Sequence, residues 1–198
     1  MNSLLDLSDA LFLHVNDVAR SSGWLHAPAT VYATYGLAVF AGLILLGVAR
    51  RRAAGDRQLA VAVWAGLGTI IAVGVNQPVA AAVGELRPYA VHPSALVLVD
   101  RTADWSFPSD HAVMAGAATV GLLLVSRRLG LVAAGAALLM AATRVYVGAH
   151  YPHDVIVGLV LGGLVSGVGW LVLQRPVIAL VRLGRNLPLA DRVLSATP

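Results

Sequence analysis

Residues 58–84 read QLAVAVWAGLGTIIAVGVNQPVAAAVG, without one Asp, Glu, Lys or Arg. A helix needs about 20 apolar residues to cross the hydrocarbon core of a bilayer, so this stretch is long enough to span. Residues 21–49 and 155–174 are charge-free in the same way, and 112–126 and 129–143 are shorter versions of the pattern. The whole chain agrees. Of its 198 residues, 58% are hydrophobic and only 12% charged, with a mean hydropathy of +0.78. A soluble domain carries about twice that charge. The expectation is an all-α integral membrane protein: one domain over 1–198, a bundle of about five transmembrane helices at roughly 28–49, 58–79, 109–126, 129–148 and 153–173.

The ends differ from the middle. Residues 3–20 mix Leu, Phe and Val with Asp, His and Arg at helical spacing, which fits an amphipathic helix at the interface, within an N-terminal segment 1–27. Asp6, Asp9 and Asp17 occupy the place where a cleavable signal peptide has its basic region, so this segment does not read as one. From 174 onward Pro176 and Pro188 punctuate a segment with four arginines, expected as a cytoplasmic tail with a surface-lying helix. Gly116, Gly121, Gly135, Gly158, Gly162 and Gly163 suit close helix packing in lipid. The chain has no cysteine, which excludes disulfides and thiolate chemistry.

All fourteen basic residues are arginines. The net charge of +4 would suit nucleic acid, but the arginines sit just beyond the apolar segments, as topology signals do, so nucleic acid is not expected as a partner. Arg50, Arg51, Arg52 and Arg57 follow the first span, Arg127 and Arg128 the third, and four more the fifth. Five spans put these regions on one side, which the positive-inside rule makes cytoplasmic. The other side receives the N-terminus, the 80–108 loop and the 149–152 turn, in a multi-pass protein of the plasma membrane.

The remaining polar residues collect at that second, outer boundary. Arg87 and Tyr89 lie in the long loop, Ser109, Asp110 and His111 open the third span, Arg144 ends the fourth, and His150, His153 and Asp154 open the fifth. Ionisable groups at such positions are costly and usually functional. Ser109 or Asp110 is expected to cap its helix, leaving free N–H groups and the positive dipole end for a phosphate. Arg87 and Arg144 are planar forks suited to phosphate oxygens. Asp154, four residues after His150, would fix its tautomer and stabilise its cation. Lone residues have plainer uses: His14 and His26 as solvent-facing caps, Arg101 and Arg128 as snorkelling anchors, His153 in a structural or flanking role.

Arg87-Pro88, Pro108-Ser109-Asp110-His111, and Thr143-Arg144 followed by His150 and Asp154 together resemble the three signatures of the type-2 phosphatidic acid phosphatase superfamily. Within it, Phe107-Pro108-Ser109-Asp110-His111 and the run Tyr146–Pro152 are most similar to bacterial undecaprenyl-diphosphate phosphatases. The resemblance implies a lipid phosphatase. His150 would form a phosphohistidine, Asp154 would orient it, and His111 would protonate the leaving oxygen. Arg87, Arg144 and Ser109 would hold the phosphoryl oxygens, and no metal ion or other cofactor would be needed. The implied partners are the membrane and a lipid phosphate.

The chain departs from the pattern in places. Ala80 stands where the first signature begins with Lys, and there is no Lys anywhere. Gln77, about one turn earlier, offers a neutral donor for the phosphate. Asp110 replaces the usual Gly and is repulsive near phosphate unless it caps, pairs with an Arg or faces the leaving group. The leading expectation is a polyprenyl-diphosphate phosphatase working on the outer face. Alternatives are the same chemistry on phosphatidic acid, phosphatidylglycerol phosphate or a sugar-linked prenyl phosphate, a zinc hydrolase using His111, His150, His153 and Asp154, and a non-enzymatic lipid binder or transporter.

Overall fold

The computed structural model describes residues 2–186, and every element among them is helical. Helix α1 spans Asn2–Ser21, and a single 3-10 turn, Gly23–Leu25, leads into α2, His26–Tyr35, and α3, Leu37–Arg51. Then come α4, Asp56–Val83, the short α5, Pro88–Val91, α6, Asp110–Val125, α7, Arg127–Tyr146, and α8, Pro152–Arg185.

The charge-free stretches become helices because lipid leaves no solvent partner for a backbone N–H or C=O, so each must be satisfied within its own helix. Three helices, α4, α7 and α8, are long and apolar enough to cross a membrane, and the pair α2–α3 adds a fourth. The expected count of five changes in two ways. The first span is not straight: α2 and α3 meet at 49°. The bend falls at Gly36, where a Cβ would come within 2.8 Å of the terminal methyl of Met140 on α7.

The third expected span, α6, has only 16 residues, about 24 Å at 1.5 Å per residue, short of a hydrocarbon core of about 30 Å. It does not need to face lipid, because it forms the axis of the bundle and packs against α8, α4 and α7. Small residues permit this. A Cβ at Gly116 would run into the carbonyl oxygen of Leu159, and one at Gly162 into that of Val113. Side chains that ring the axis, among them Leu122, Met140 and Phe40, fill the core on the α3 side.

The expected break at Pro176 is absent. Helix α8 runs through it, 34 residues in all and about 51 Å long, so the tail begins as a continuation of α8 and not as a separate helix. The remainder of the expected tail, 187–198, lies outside the described residues. The extension gathers the arginine-bearing segments. Arg182 pairs with Asp56 at 3.1 Å, Arg185 donates to the carbonyl of Arg52 at 2.9 Å, and Arg51 donates to that of Val125 at 2.8 Å. The α3–α4 link, the end of α6 and the end of α8 thus share one end of the bundle.

Helix α1 lies across the opposite end. Its buried residues Ser8, Phe12, Asn16 and Ala19 recur about every four positions, one helical face. Asn16 exchanges two hydrogen bonds with the backbone of Leu96, at 2.8 and 3.0 Å. Asp9 meets His92 at 2.6 Å, and Arg20 donates to the carbonyl of Ser94. The long loop 84–109 is therefore held down by α1, while Leu4, Leu7 and Leu11 point outward.

Candidate active site

The turn between α7 and α8 positions the central residue. Gly148 takes a left-handed φ of 79°, and a Cβ there would meet the carbonyl of Leu96. Glycine thus allows the turn to tuck beneath the outer loop, which Leu98 N–H fastens to the carbonyl of Val147 at 3.0 Å. His150 follows, 2% exposed. It precedes α8 and does not sit on its face. Asp154 lies in the first turn of α8 and accepts the N–H of Tyr151 at 2.8 Å, so one carboxylate closes the helix start and flanks the imidazole.

The tautomer of His150 follows from its partners. Nδ1 lies 2.9 Å from the carbonyl oxygen of Ser106, which can only accept, so Nδ1 carries the proton. Nε2 then presents its lone pair, and Arg87 Nη1 donates to it at 3.1 Å. Asp154 Oδ2 is further from Nδ1, at 3.4 Å, and takes a short bond of 2.5 Å from Ser106 Oγ. Burial is the main force on this imidazole and lowers its pKa to about 4. Asp154 opposes the shift, while Arg144 and Arg87 add to it. Near neutral pH the ring is uncharged.

His150 opens onto a cavity of about 350 Å³ lined by Arg87, Asp110, His111, Arg144, Thr34 and Trp105, among others. Two guanidinium groups face it in different ways. Arg87 is fully engaged: it pairs with Asp104 at 2.8 Å and donates to the carbonyl of Ala149 at 3.1 Å. Asp104 is raised by burial, but bonds from Thr102 and Arg87 outweigh that and hold its carboxyl below the usual range. Arg144 donates to the carbonyl of Ala33 at 3.3 Å, and its Nε is buried with no hydrogen-bond partner among the described residues. A buried unpaired donor on a permanent cation is costly unless a ligand completes it.

Five of the residues expected at the site, Arg87, Asp110, His111, Arg144 and His150, line this one cavity. Asp154 stands behind His150. Two further expected residues do not line it either. Ser109 occupies the N-cap of α6 but makes no capping bond; its hydroxyl is buried and unpartnered among the described residues. Gln77 does not reach the cavity as a phosphate donor: its amide donates to Asp110 Oδ1 at 3.0 Å. Asn76, fully buried on α4, donates to the same oxygen at 2.7 Å and to the carbonyl of Pro108 at 3.0 Å. Asp110 thus pairs with two amides. It neither caps nor pairs with an arginine.

Ser106, Asp104 and Asn76 were missed by sequence reasoning. Ser106 and Asp104 lie in the loop before the Pro108-Ser109 signature, where no helical period marks which side chains turn inward. Asn76 carried a usable signal, as an amide inside a charge-free span.

A model of the PAP2 superfamily matches residues 61–177. An undecaprenyl-diphosphatase of Sulfolobus acidocaldarius is 35% identical over 49% of this chain and 48% of its own length. One from Bacillus subtilis is 33% identical over 52% and 53%. The chain thus matches about half the length of these curated relatives. In three dimensions it resembles a transmembrane PAP2-type phosphatidylglycerolphosphate phosphatase from Bacillus subtilis, with a TM-score of 0.66 over 85% of both chains. At 20% identity this establishes a shared fold.

Proposed function

The chain belongs to the PAP2 superfamily, and from that premise we propose that it is a membrane lipid phosphatase that hydrolyses a polyprenyl diphosphate to the monophosphate and inorganic phosphate. One observation carries the chemistry: the His150 Nε2 lone pair rests on one guanidinium, in a cavity whose second guanidinium keeps a buried, unpaired N–H. That is a neutral nucleophile beside an anion cradle. The relatives named undecaprenyl-diphosphatase support the choice of lipid.

In this reading a terminal phosphoryl group enters between Arg87 and Arg144, and Arg87 Nη1 transfers its hydrogen bond from Nε2 to a phosphoryl oxygen. Nε2 attacks phosphorus, the P–N bond forms, and the bond to the bridging oxygen breaks. His111 delivers the proton that the leaving lipid phosphate needs. The imidazolium character that builds on His150 is met by the carbonyl of Ser106 and the carboxylate of Asp154. Water then attacks the phosphohistidine, with His111 as base, and inorganic phosphate leaves. The arginine forks stabilise the charge in both steps, the contribution that usually dominates phosphoryl transfer. No step in this scheme calls for a metal ion.

The cavity lies at the end of the bundle opposite the clustered arginines. The positive-inside rule supports an extracytoplasmic cavity in the plasma membrane, where carrier lipid discharged during envelope synthesis would present its diphosphate. The test is phosphate release by purified protein from a C55-type diphosphate, phosphatidic acid, phosphatidylglycerol phosphate and a sugar-linked prenyl phosphate, with and without chelator. The polyprenyl diphosphate should lead, unaffected by chelation, and acid-labile phosphohistidine should be trapped and lost in His150→Ala. Release led by another lipid moves the substrate; normal turnover in His150→Ala removes the mechanism.

A further inference from the structure

Asp154 is fully buried, and its two oxygens are treated very differently. Oδ2 is crowded, accepting from Ser106 Oγ and Tyr151 N–H and lying near His150. Oδ1 has no hydrogen bond of good geometry, but His153 Nε2 lies 3.1 Å from it. The same nitrogen is 3.0 Å from Glu85 Oε2. Two carboxylates from different parts of the chain, the end of the α4 segment and the first turn of α8, converge on one ring nitrogen. Two carboxylates this close need a hydrogen-bond donor between them.

The imidazole of His153 is held for that purpose. Tyr151 stacks on one side, with ring centres 5.6 Å apart at 14°, and Phe107 packs against it at 5.6 Å and 32°. Ser8 of α1 accepts the backbone N–H of His153 at 3.2 Å and lies 2.8 Å from its Nδ1. With the Ser8 hydroxyl donating to Nδ1, Nε2 carries the hydrogen and donates it to Glu85, beside Asp154 Oδ1. Each contact restricts the ring, and together they leave it one orientation.

We propose that His153 is a positioning residue for the phosphatase reaction: its Nε2–H, hydrogen-bonded to Glu85 and 3.1 Å from Asp154 Oδ1, holds the Asp154 carboxylate with Oδ2 turned toward Ser106 and His150. This rests on the functional reading above. Without that N–H, Oδ1 is a buried oxygen facing nothing, and the carboxylate rotates to find a donor. Rotation turns Oδ2 away from Ser106 and from the imidazolium of His150. The titratable groups around Asp154 are His150 from the preceding turn, His153 on its own helix and Glu85 beyond it, with Arg87 on the far side of His150.

The deciding variant is His153→Phe, which keeps the aromatic stack between Tyr151 and Phe107 and removes both nitrogens. Its kcat on the lipid phosphate should fall roughly tenfold to a hundredfold, the range a lost hydrogen bond to a charged group supplies. KM should change little, because His153 does not line the cavity. His153→Gln, which restores an N–H at similar reach, should recover part of kcat and guards against misfolding of the first variant. Glu85→Gln should lower kcat in the same direction with a smaller effect. Wild-type kcat in His153→Phe overturns this inference alone. Loss of activity on chelation, restored by a divalent ion, would put a cation where we place the proton and overturn it too. No release from any lipid phosphate by the unsubstituted protein overturns the functional reading and this one with it.

Discussion

Arg87 Nη1 donates a hydrogen bond of 3.1 Å to Nε2 of His150, the nitrogen assigned to attack phosphorus. In the proposed mechanism the cation that binds substrate therefore also contacts the nucleophile. The contact holds the ring in the tautomer whose lone pair faces the cavity, and it keeps a proton from settling on Nε2. Asp104 fixes the Nε and Nη2 edge of the same guanidinium and the carbonyl of Ala149 also accepts from Nη1, so the fork moves little when its partner changes from nitrogen to phosphoryl oxygen.

Replacing Arg87 by Lys keeps the charge and loses the fork. A single ammonium cannot hold Asp104, Ala149 and a phosphoryl oxygen together. Arg87→Lys should lower kcat/KM on the lipid phosphate by about a hundredfold, that is about 2.7 kcal/mol of transition-state stabilisation. Steady-state phosphate release measures it. Equal activity would confine Arg87 to anchoring the loop.

The pH dependence has a definite sign. Burial lowers the His150 pKa to about 4, below the unperturbed value near 6.5. In the proposed mechanism the neutral ring attacks, so the His150 limb of kcat/KM should lie well below pH 6 and leave activity flat through neutrality. The stability contribution runs the same way. It is full above about 6.5 and is lost as pH falls toward 4, because the unfolded chain takes up the proton first. A kcat/KM profile whose acid limb sits at 6.5 or above would contradict a neutral, buried nucleophile.

Asn76 should matter for stability more than Gln77. Its Nδ2 is buried and joins α4 to Pro108 and Asp110, whereas the Gln77 amide is exposed. Asn76→Ala leaves the Asp110 carboxylate short of a donor and should cost about 1–3 kcal/mol, read as a lower Tm of the detergent-solubilised protein. Gln77→Ala should shift Tm by much less.

Gly162→Ala probes the axis of the bundle. The added Cβ meets backbone of α6 and no movable side chain, so α6 and α8 must separate, at a cost of about 1–3 kcal/mol or more. Because α6 carries His111 and α8 carries Asp154, activity should fall together with Tm. Gly135→Ala, where nothing lies within 4 Å, is the control and should leave both unchanged.

Much of this protein was legible in one dimension. Charge-free stretches determined the helices, because lipid offers no alternative partner for the backbone, and the clustering of Arg87, His111, Arg144 and His150 could be read from spacing and sidedness. Tertiary contacts decided the rest. The short α6 is admitted as the axis because the glycines and alanines around it let backbones touch. Gln77 looks like a substitute for the missing lysine until α4 and α6 pack, when its amide meets Asp110. Ser106 and Asp104 become site residues only because α1 and the 147–151 turn press an irregular loop over the cavity, and no period in the sequence marks that. Local residue chemistry determined which groups His150 would need around it. Which side chains reached it was decided by how closely the helices could approach.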